Sequence, residues 1–340
     1  MKILKLLEAL LFAMVLPFWI QKEPQQQPQQ QKQIEAAIGT NLTENAKLYI
    51  MLNDIMVLKE IAKAHPSISM DWTSDQYEWS TDGRLVAINW KAIDRNSKKA
   101  KLSGKLSLKG LSALEKLDCC YNELTELDIS QNPKLEELSF DVNELDGLDV
   151  SHNPELKVLC CRYNELDTLD VSHNPKLEEL LSDGNKLDSL DVSRNLELKM
   201  LRCGCNELSA LDVSYNPQLE YLYCEWNDLE ELDVSQNPKL NSLGCQNNKL
   251  EELDVSHNPQ LEWLRCKENK LSRLNVSNNP NLEILQCFYT ELDSLDVSQN
   301  PNLKELWVDK DLSVTGDLSS VFVEYIYEGD FAYSGEKYNY

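Results

Sequence analysis

The chain carries ten cysteines, and two of them, Cys160 and Cys161, are neighbours in the sequence. Thiols at suitable distances form disulfides, bind metal ions or take part in redox exchange. The chain has no C-x-x-C spacing, which argues against a zinc site. The alternative for the pair is a strand on which one thiol points into the protein and its neighbour points out.

Most of the cysteines share one position of a repeating sequence unit. Where cysteine is missing from that position, the chain has Phe140, Ser182 or Val308. Phe and Val indicate a buried apolar position, and thiols projecting in parallel from adjacent strands have poor torsions for a disulfide. We therefore predict a ladder of buried, reduced thiols, formed by Cys119, Cys161, Cys203, Cys224, Cys245, Cys266 and Cys287. The cysteines outside this column, which we predict to be exposed, are Cys120, Cys160 and Cys205.

Histidines and aspartates also recur in columns that could bind a metal. His152, His173 and His257 share one position, but other repeats have Gln, Arg or Tyr there, so we predict a solvent-exposed position. The aspartate column comprises Asp128, Asp149, Asp170, Asp191, Asp212, Asp233, Asp254 and Asp296, with Asn275 in one repeat. Stacked carboxylates repel, so they accept hydrogen bonds from the adjoining Ser column or share cations. Calcium is the less favoured alternative, because six to eight oxygen ligands are not evident. We predict neither a bound metal nor a cofactor.

The sequence gives no indication of an enzyme. We find no nucleophile, base and orienting group at matching spacing and no glycine-rich phosphate loop. With 57 acidic and 33 basic side chains the formal charge is -24, so nucleic acid and anionic bilayers would be repelled. The hydrophobic content of 42% suffices for a packed core.

The N-terminal third divides into three segments. Residues 1–20 have two lysines followed by an apolar run, which predicts a secretory signal or anchor segment, and residues 21–42 read as a Gln/Pro-rich linker. Residues 43–104 form a predicted helix and capping segment, with Thr43 as the N-cap and Pro66 ending the helix. Trp72, Trp79 and Trp90 surround DGRLVAINW, where Asp-Gly predicts a turn before a strand.

A 21-residue repeat governs the chain over residues 105–311. Its leucine column comprises Leu117, Leu138, Leu159, Leu180, Leu201, Leu222, Leu243, Leu264, Leu285 and Leu306. An asparagine column follows each leucine by five residues: Asn122, Asn143, Asn164, Asn185, Asn206, Asn227, Asn248 and Asn269, with Thr290 and Asp311 in the last repeats. A second half-unit, LDVSxNP, repeats in parallel. Alternation of apolar and polar residues predicts a half-buried strand in every repeat, and the Asn amides are predicted to satisfy buried backbone groups at the corners.

The unit L-x-x-L-x-C-x-x-N-x-L-x-x-L-D-V-S-x-N-P resembles the cysteine-bearing leucine-rich repeats of bacterial surface proteins of the internalin J type. The segment from Trp72 to Gly104 is similar to the N-terminal cap of such arrays. The resemblance implies an α/β-type leucine-rich-repeat solenoid: a right-handed, curved stack of coils with a parallel β-strand face, short convex segments and a helical, Trp-rich N-terminal cap. It also implies that the strand face binds a ligand, often on a host cell. Residues 312–340 are predicted to form a C-terminal cap and tail.

Outward positions of the strands are free of packing constraints, and in the C-terminal half they become aromatic. The predicted ligand-binding residues are Tyr221, Tyr223, Trp226, Trp263, Arg265, Phe288, Tyr289 and Trp307. Between them, Ser242, Gly244, Gln246 and Asn247 suggest a trough. We expect a secreted or cell-surface adhesion module that binds a protein or glycan on another surface, without membrane binding beyond an N-terminal anchor. One alternative is that some of these aromatics cover the end of the core. Another is that the chain is a structural or scaffolding protein, for which an intracellular location is also an alternative.

Overall fold

The computed structural model describes residues 42–68, 70–92 and 101–326. The chain divides into two compact units, Met1–Ile50 and Met51–Tyr340, and the architecture below is that of the second. The predicted signal or anchor segment, the linker up to residue 41 and the tail from residue 327 lie outside the described residues.

Helix α1 spans Leu42–Ala64. It begins one residue before Thr43, so Thr43 lies in the first turn rather than at the predicted N-cap, and it ends before Pro66 as predicted. The carboxylate of the buried Asp54 accepts hydrogen bonds from Nε of Arg84 and from N of Leu85, both at 2.9 Å, which ties the helix to the following hairpin. Within the described part of the chain, no helix combines the length and apolar character that crossing a membrane requires.

The predicted strand after Asp82-Gly83 is present. Strands β1 (Tyr77–Trp79) and β2 (Leu85–Asn89) form an antiparallel hairpin, and Gly83 in its turn has a φ of 85°. Strand β2 then pairs in parallel with the first strand of the repeats. The capping segment therefore adds a strand to the repeat sheet and covers its first edge.

One sheet of 13 strands runs through the whole unit. After β1 and β2 its members are β4 (Lys116–Asp118), β6 (Glu137–Ser139), β7 (Val158–Cys160), β8 (Glu179–Leu181), β9 (Met200–Arg202), β10 (Tyr221–Tyr223), β11 (Ser242–Gly244), β12 (Trp263–Arg265), β13 (Ile284–Gln286), β15 (Glu305–Asp309) and β17 (Phe322–Ile326). From β4 to β15, neighbouring strands pair in parallel, and each residue faces its equivalent in the next repeat. The predicted stack of 21-residue coils with a parallel strand face is confirmed. We call the outward-facing positions of this sheet the strand face.

The second half-unit is strand-like only near the ends of the stack. Strand β3 (Ser103–Ser107) pairs with β5 (Glu123–Asp128), and β14 (Ser294–Asp296) pairs with β16 (Ser313–Thr315). In the described coils between them, LDVSxNP forms turns, apart from one bridge between Asp254 and Asn275. At the C-terminal end, β16 and β17 continue both stacks beyond residue 311, so part of the predicted cap is a further, irregular coil.

The core consists of stacked columns of inward side chains. The leucine column and the leucine and valine columns of the second half-unit are buried along the stack, except that Leu148 is half-buried and Ile129 takes the place of valine in the first coil. Burying one such side chain contributes about 1.5–3 kcal/mol, whereas fixing one residue of backbone costs about 1–2 kcal/mol. One coil cannot meet this cost alone, and stacking gives each coil two neighbours that share its core.

The first asparagine column satisfies buried backbone groups at the corners, as predicted, and its hydrogen bonds also join neighbouring coils. In one example, Nδ2 of Asn143 donates to the carbonyls of Cys119 (3.1 Å) and Phe140 (2.9 Å), while Oδ1 accepts from N of Leu124 at 3.0 Å. The residue before each asparagine has a positive φ: Tyr121, Val142, Tyr163, Gly184, Cys205, Trp226, Asn247 and Glu268, followed by Tyr289. The left-handed conformation is unfavourable for Val and aromatic residues, so the amide bonds hold a turn that the local sequence disfavours.

A second asparagine column lies in the LDVSxNP half-unit. Nδ2 of Asn195 donates to the carbonyls of Val171 (3.0 Å) and Asn174 (2.9 Å). Its Oδ1 is buried and accepts no hydrogen bond from the described residues, and the same holds throughout the column from Asn132 to Asn300. This column binds coils together through its donors only.

Charged columns on the surface are paired between coils. Lys157 bonds Glu136, Lys199 bonds Glu178 and Lys304 bonds Glu283, each at 2.6 Å and each from one coil to the preceding one. Exposed pairs of this kind contribute about 0–1 kcal/mol. Their main effect is to alternate sign along a column that would otherwise stack like charges in a chain of charge -24.

Candidate functional site

The seven cysteines of the predicted ladder are fully buried, as expected for an inward column. Burial raises the pKa of Cys161, Cys203, Cys224, Cys245 and Cys266 well above the ordinary value, and raises that of Cys287 to about 12. A thiol with so high a pKa has almost no thiolate at neutral pH and is unreactive. The ladder is therefore a structural feature and not a chemical site.

The prediction for the cysteines outside the ladder was wrong for Cys120, which is buried. The capping segment runs alongside it, and N of Ala92 donates to the Cys120 carbonyl at 3.0 Å. Cys160 and Cys205 are half-buried rather than exposed. Burial raises the pKa of both thiols to about 11.

We expect a thiol reagent to modify the folded protein only at Cys160 and Cys205, and slowly. A pKa of about 11 leaves roughly one thiol in a thousand ionised at pH 8, and this fraction rises about tenfold per pH unit. Mass spectrometry after iodoacetamide treatment, with and without guanidinium chloride, measures the sites. Modification of Cys120 or Cys161 at the rate of Cys160 in the folded protein would contradict the assignment of the columns.

The histidine column is exposed, as predicted. The neighbouring serine hydroxyl contacts Nδ1 of each ring, at 3.0 Å for Ser151 and His152 and at 3.1 Å for the other two pairs. Among the described residues, no group of three or more His, Cys, Asp or Glu side chains could hold a metal ion.

The aspartate column forms turns with the serine column. Oδ1 of Asp149, Asp170 and Asp191 accepts from the backbone N of the serine two residues on, at 2.9 Å in each case. The side-chain and backbone hydrogen bonds from these serines lower the pKa of the carboxyl groups. Of the two predicted roles, hydrogen bonding to the serine column is confirmed.

These lowered pKa values predict a loss of stability in acid. A carboxyl whose folded pKa lies below its unfolded value stabilises the fold above the unfolded pKa, about 3.9, and this contribution is lost as the pH falls through the folded pKa. We expect the thermal midpoint to fall between about pH 4 and pH 2, because Asp128 has a pKa of about 2.

The matched control replaces Asp149, Asp170 and Asp191 together with Asn. Asn275 shows that an amide can fill this position, since its Oδ1 accepts from N of Ser277 at 3.0 Å. The triple variant should lose less of its thermal midpoint over the same pH range. An equal loss in both proteins would assign the acid sensitivity to other groups.

The predicted ligand-binding residues do not form a single patch. Tyr221, Tyr223, Trp263, Arg265 and Trp307 lie on the strand face, in nearby strands β10, β12 and β15. Trp263 is 39% exposed. Trp226, at 47% exposure, lies at the left-handed turn that follows β10, and Tyr289 occupies the same turn three coils further on. Whether they bind a ligand stays a prediction.

Phe288 is buried, with 2% of its surface exposed, so its predicted role on an open face was wrong. Its ring packs edge-on against Tyr289, with centroids 5.2 Å apart, and its centroid lies 6.4 Å from that of the Trp307 ring. The Lys267 ammonium covers it at 4.9 Å from the centroid. Phe288 therefore fills the end of the core, which was the alternative interpretation of the C-terminal aromatics.

The predicted trough is filled by a neighbouring side chain. The Tyr223 ring lies over Gly244: a Cβ atom on this glycine would be 2.8 Å from Cδ1 of the ring. The Tyr223 hydroxyl is 2.9 Å from Oγ of Ser242. Ser242, Gly244 and Gln246 are consequently buried. The small residues of this coil receive Tyr223 rather than leaving space for a ligand.

Two ion pairs on the strand face were not anticipated. Nη2 of Arg162 bonds Oδ2 of Asp141 at 2.7 Å, and Nε of Arg202 bonds Oδ2 of Asp183 at 3.1 Å. Both aspartates are buried, and desolvation raises the pKa of Asp183 despite the nearby guanidinium. The sequence signal that could have predicted them is the alternation of acidic and basic residues at one repeat position, Asp141, Arg162 and Asp183.

A second surface feature was also missed. A depression of about 1110 Å³ lies at the corner formed by the LDVSxNP half-units, lined in part by Leu190, Ala210 and the exposed Leu196 and Tyr215. Leu196 replaces the proline of this half-unit. This departure from the repeat is the sequence signal that could have predicted an apolar surface at this corner.

Comparison with solved structures supports this description. The functional domain of internalin J from Listeria monocytogenes, which is described as including a cysteine ladder, aligns with a TM-score of 0.61 and 38% identity over 65% of this chain. This chain has the leucine-rich-repeat solenoid fold. Its 21-residue, cysteine-bearing repeats resemble those of internalin J. The leucine-rich-repeat chain spans about half the length of the internalin J structure, 50%.

Two further structures show the same fold. YopM from Yersinia enterocolitica aligns with a TM-score of 0.57 and 27% identity, covering 66% of this leucine-rich-repeat chain and 48% of YopM. A leucine-rich-repeat protein of Leptospira interrogans aligns with a TM-score of 0.54 over 66% of this chain and 72% of its own, but at 23% identity it supports the fold alone. Neither a protein-family model nor a curated protein matches the chain.

Proposed function

We propose that this leucine-rich-repeat protein is a non-enzymatic binding or adhesion module, secreted or held at the cell surface. Its strand face would recognise a protein or a glycan on another cell or surface. Trp263 is the observation that carries the proposal, since this indole is 39% exposed in the middle of the sheet. Its neighbours in the register are Ser242 and Ile284, and the inward column beside it is already complete.

An exposed indole at this position has no role in the core. Tryptophan, tyrosine and arginine supply most of the binding energy of protein interfaces, and aromatic faces also stack on sugar rings. Stacks of coils with an extended sheet generally serve as binding surfaces. The likeness to internalin J is in keeping with this general role.

The test is replacement of Trp263 with Ala. A screen against glycans and against surface-protein extracts should show at least a tenfold loss of retention for the variant, since truncating an interface hot spot costs about 2 kcal/mol or more. The control replaces Leu196 and Tyr215 with Ala, which removes a comparable exposed apolar surface outside the strand face. Thermal midpoints of both variants should match that of the unmodified protein.

Two outcomes would contradict the proposal. If Trp263→Ala binds as well as the unmodified protein, the strand-face site is wrong, as a purely scaffolding solenoid predicts. If the control variant alone loses retention, the binding site lies at the corner depression instead.

A further inference from the structure

A basic side chain without an ion pair in the described part of the chain, Arg265, lies on the strand face of this acidic protein. Three coils around β12 contribute nine outward positions: Ser242, Gly244, Gln246, Trp263, Arg265, Lys267, Ile284, Gln286 and Phe288. The only charged side chains among them are Arg265 and Lys267, both basic, although the chain as a whole has a charge of -24. Glu225, on the preceding coil, is 3% exposed and presents little surface to a partner.

Arg265 differs from Arg162 and Arg202 in having no carboxylate partner within the described part of its own chain. Arg202 pairs with Asp183, which lies on the preceding coil. The equivalent position on the coil before Arg265 holds Gln246. Among the described residues, Nε of Arg265 is buried without an acceptor, and Oε1 of the buried Gln246 is without a donor. The position that completes the Arg202 ion pair three coils earlier thus holds an uncharged amide here.

The guanidinium of Arg265 offers only hydrogen-bond donors. It lies 5.6 Å from the centroid of the Trp263 ring, and the nearby Lys267 ammonium is already paired with Glu268 at 3.7 Å. A sugar with several hydroxyls needs acceptors as well as donors, but the oxygens of Ser242 and Gln246 are buried. A carboxylate accepts only, and it matches the guanidinium fork in a bidentate manner.

We propose that the strand face binds a protein partner through an Asp or Glu side chain that pairs with Arg265. This carboxylate balances the charge of Arg265 from the partner, as Asp183 balances that of Arg202 within the chain, and it does so through guanidinium atoms other than the buried Nε. Lys267 is itself paired with Glu268 at 3.7 Å, so Arg265 carries the recognition. Trp263 packs against the apolar neighbours of the partner's carboxylate. The inference rests on the proposed function and narrows its partner to a protein.

Gln246→Asp is the decisive variant. It places a carboxylate at the position that Asp183 has relative to Arg202, so the arginine becomes paired within its own chain and the partner's carboxylate is excluded. Gln246→Asn is the isosteric neutral control. Gln260→Asp adds the same charge at an exposed position directly after the LDVSxNP half-unit, away from the strand face.

The probe is an array of ten-residue peptides in which each member has one Asp or Glu flanked by apolar residues, printed beside the same peptide with Asn or Gln. The unmodified protein should retain acidic members at least tenfold better than their amide counterparts. Gln246→Asp and Arg265→Gln should lose this preference, while Gln246→Asn and Gln260→Asp keep it. Because the buried Glu225 carboxylate lies close to position 246, thermal midpoints of Gln246→Asp and Gln246→Asn are measured as well, which separates lost binding from lost folding.

The inference is overturned if acidic and amide peptides bind alike, if no peptide binds, or if Arg265→Gln keeps the preference. The Trp263→Ala screen separates this failure from that of the proposed function. When Trp263→Ala loses retention but the array shows no acid preference, the face binds something other than a carboxylate. When neither Trp263→Ala nor Arg265→Gln changes binding in its assay, the strand face is not a binding site.

Discussion

Replacing Leu222 with Ala is expected to lower the free energy of unfolding by about 2–5 kcal/mol. Leu222 is fully buried and lies in register with Leu201 and Leu243 on the adjacent strands. Both neighbours are fixed by the same stacking of coils, so the cavity left by the missing methyl groups cannot close easily. Urea unfolding, followed by circular dichroism, measures the loss.

The chain offers a matched control for this experiment. Leu196 is 53% exposed, and Leu196→Ala removes the same atoms from the surface. Its expected effect is within about 0.5 kcal/mol. Similar losses for both variants would mean that the leucine column does not carry the stability of the stack.

Replacing Asn185 with Ala is expected to cost about 3 kcal/mol, since it removes three hydrogen bonds that contribute about 0.5–1.5 kcal/mol each. The carbonyls of Cys161 and Ser182 still accept from Asn164 and Asn206, whereas the buried N of Leu166 loses its acceptor. Nδ2 of Asn185 donates to the carbonyls of Cys161 and Ser182, both at 3.0 Å, and Oδ1 accepts from N of Leu166 at 3.1 Å. The amide thus binds two coils at once and closes the left-handed turn at Gly184.

Thr290 provides the comparison, because it occupies the same column and its side chain makes a hydrogen bond within its own coil. Its Oγ1 donates to the Cys287 carbonyl at 2.9 Å. Asn185→Thr should therefore cost less than Asn185→Ala, and Thr290→Ala only about 1 kcal/mol. Equal costs for Asn185→Ala and Thr290→Ala, measured by urea unfolding, would show that the coil-to-coil bonds add nothing.

The repeat made the architecture predictable before any coordinates. Leu222 and Asn185 belong to columns that recur once in every repeat, and a column of one residue type can lie only on one face of a regular stack. The inward thiols, the strand positions and the role of the first asparagine column followed from this period. The capping strand β2 was also predictable, from its turn and alternation.

The outward positions were less predictable, because their environment depends on side chains of the adjacent coils. Gly244 suggested open space, but the ring of Tyr223 fills it. Phe288 suggested an exposed aromatic, but it closes the end of the core. The burial of Cys120 depends on a capping segment that lies outside the repeat.

The 21-residue period was enough to predict the stack of coils, its inward leucine and cysteine columns and its corner asparagines, since each coil must bury the same side chains against the next. Which outward side chains find partners within the chain became clear only from the folded arrangement of neighbouring coils. Arg162 and Arg202 pair with aspartates of their own chain, while Nε of Arg265 is buried without an acceptor among the described residues. The outward residues differ from coil to coil and do not follow the 21-residue period. Their contacts therefore depend on packing between particular neighbouring side chains.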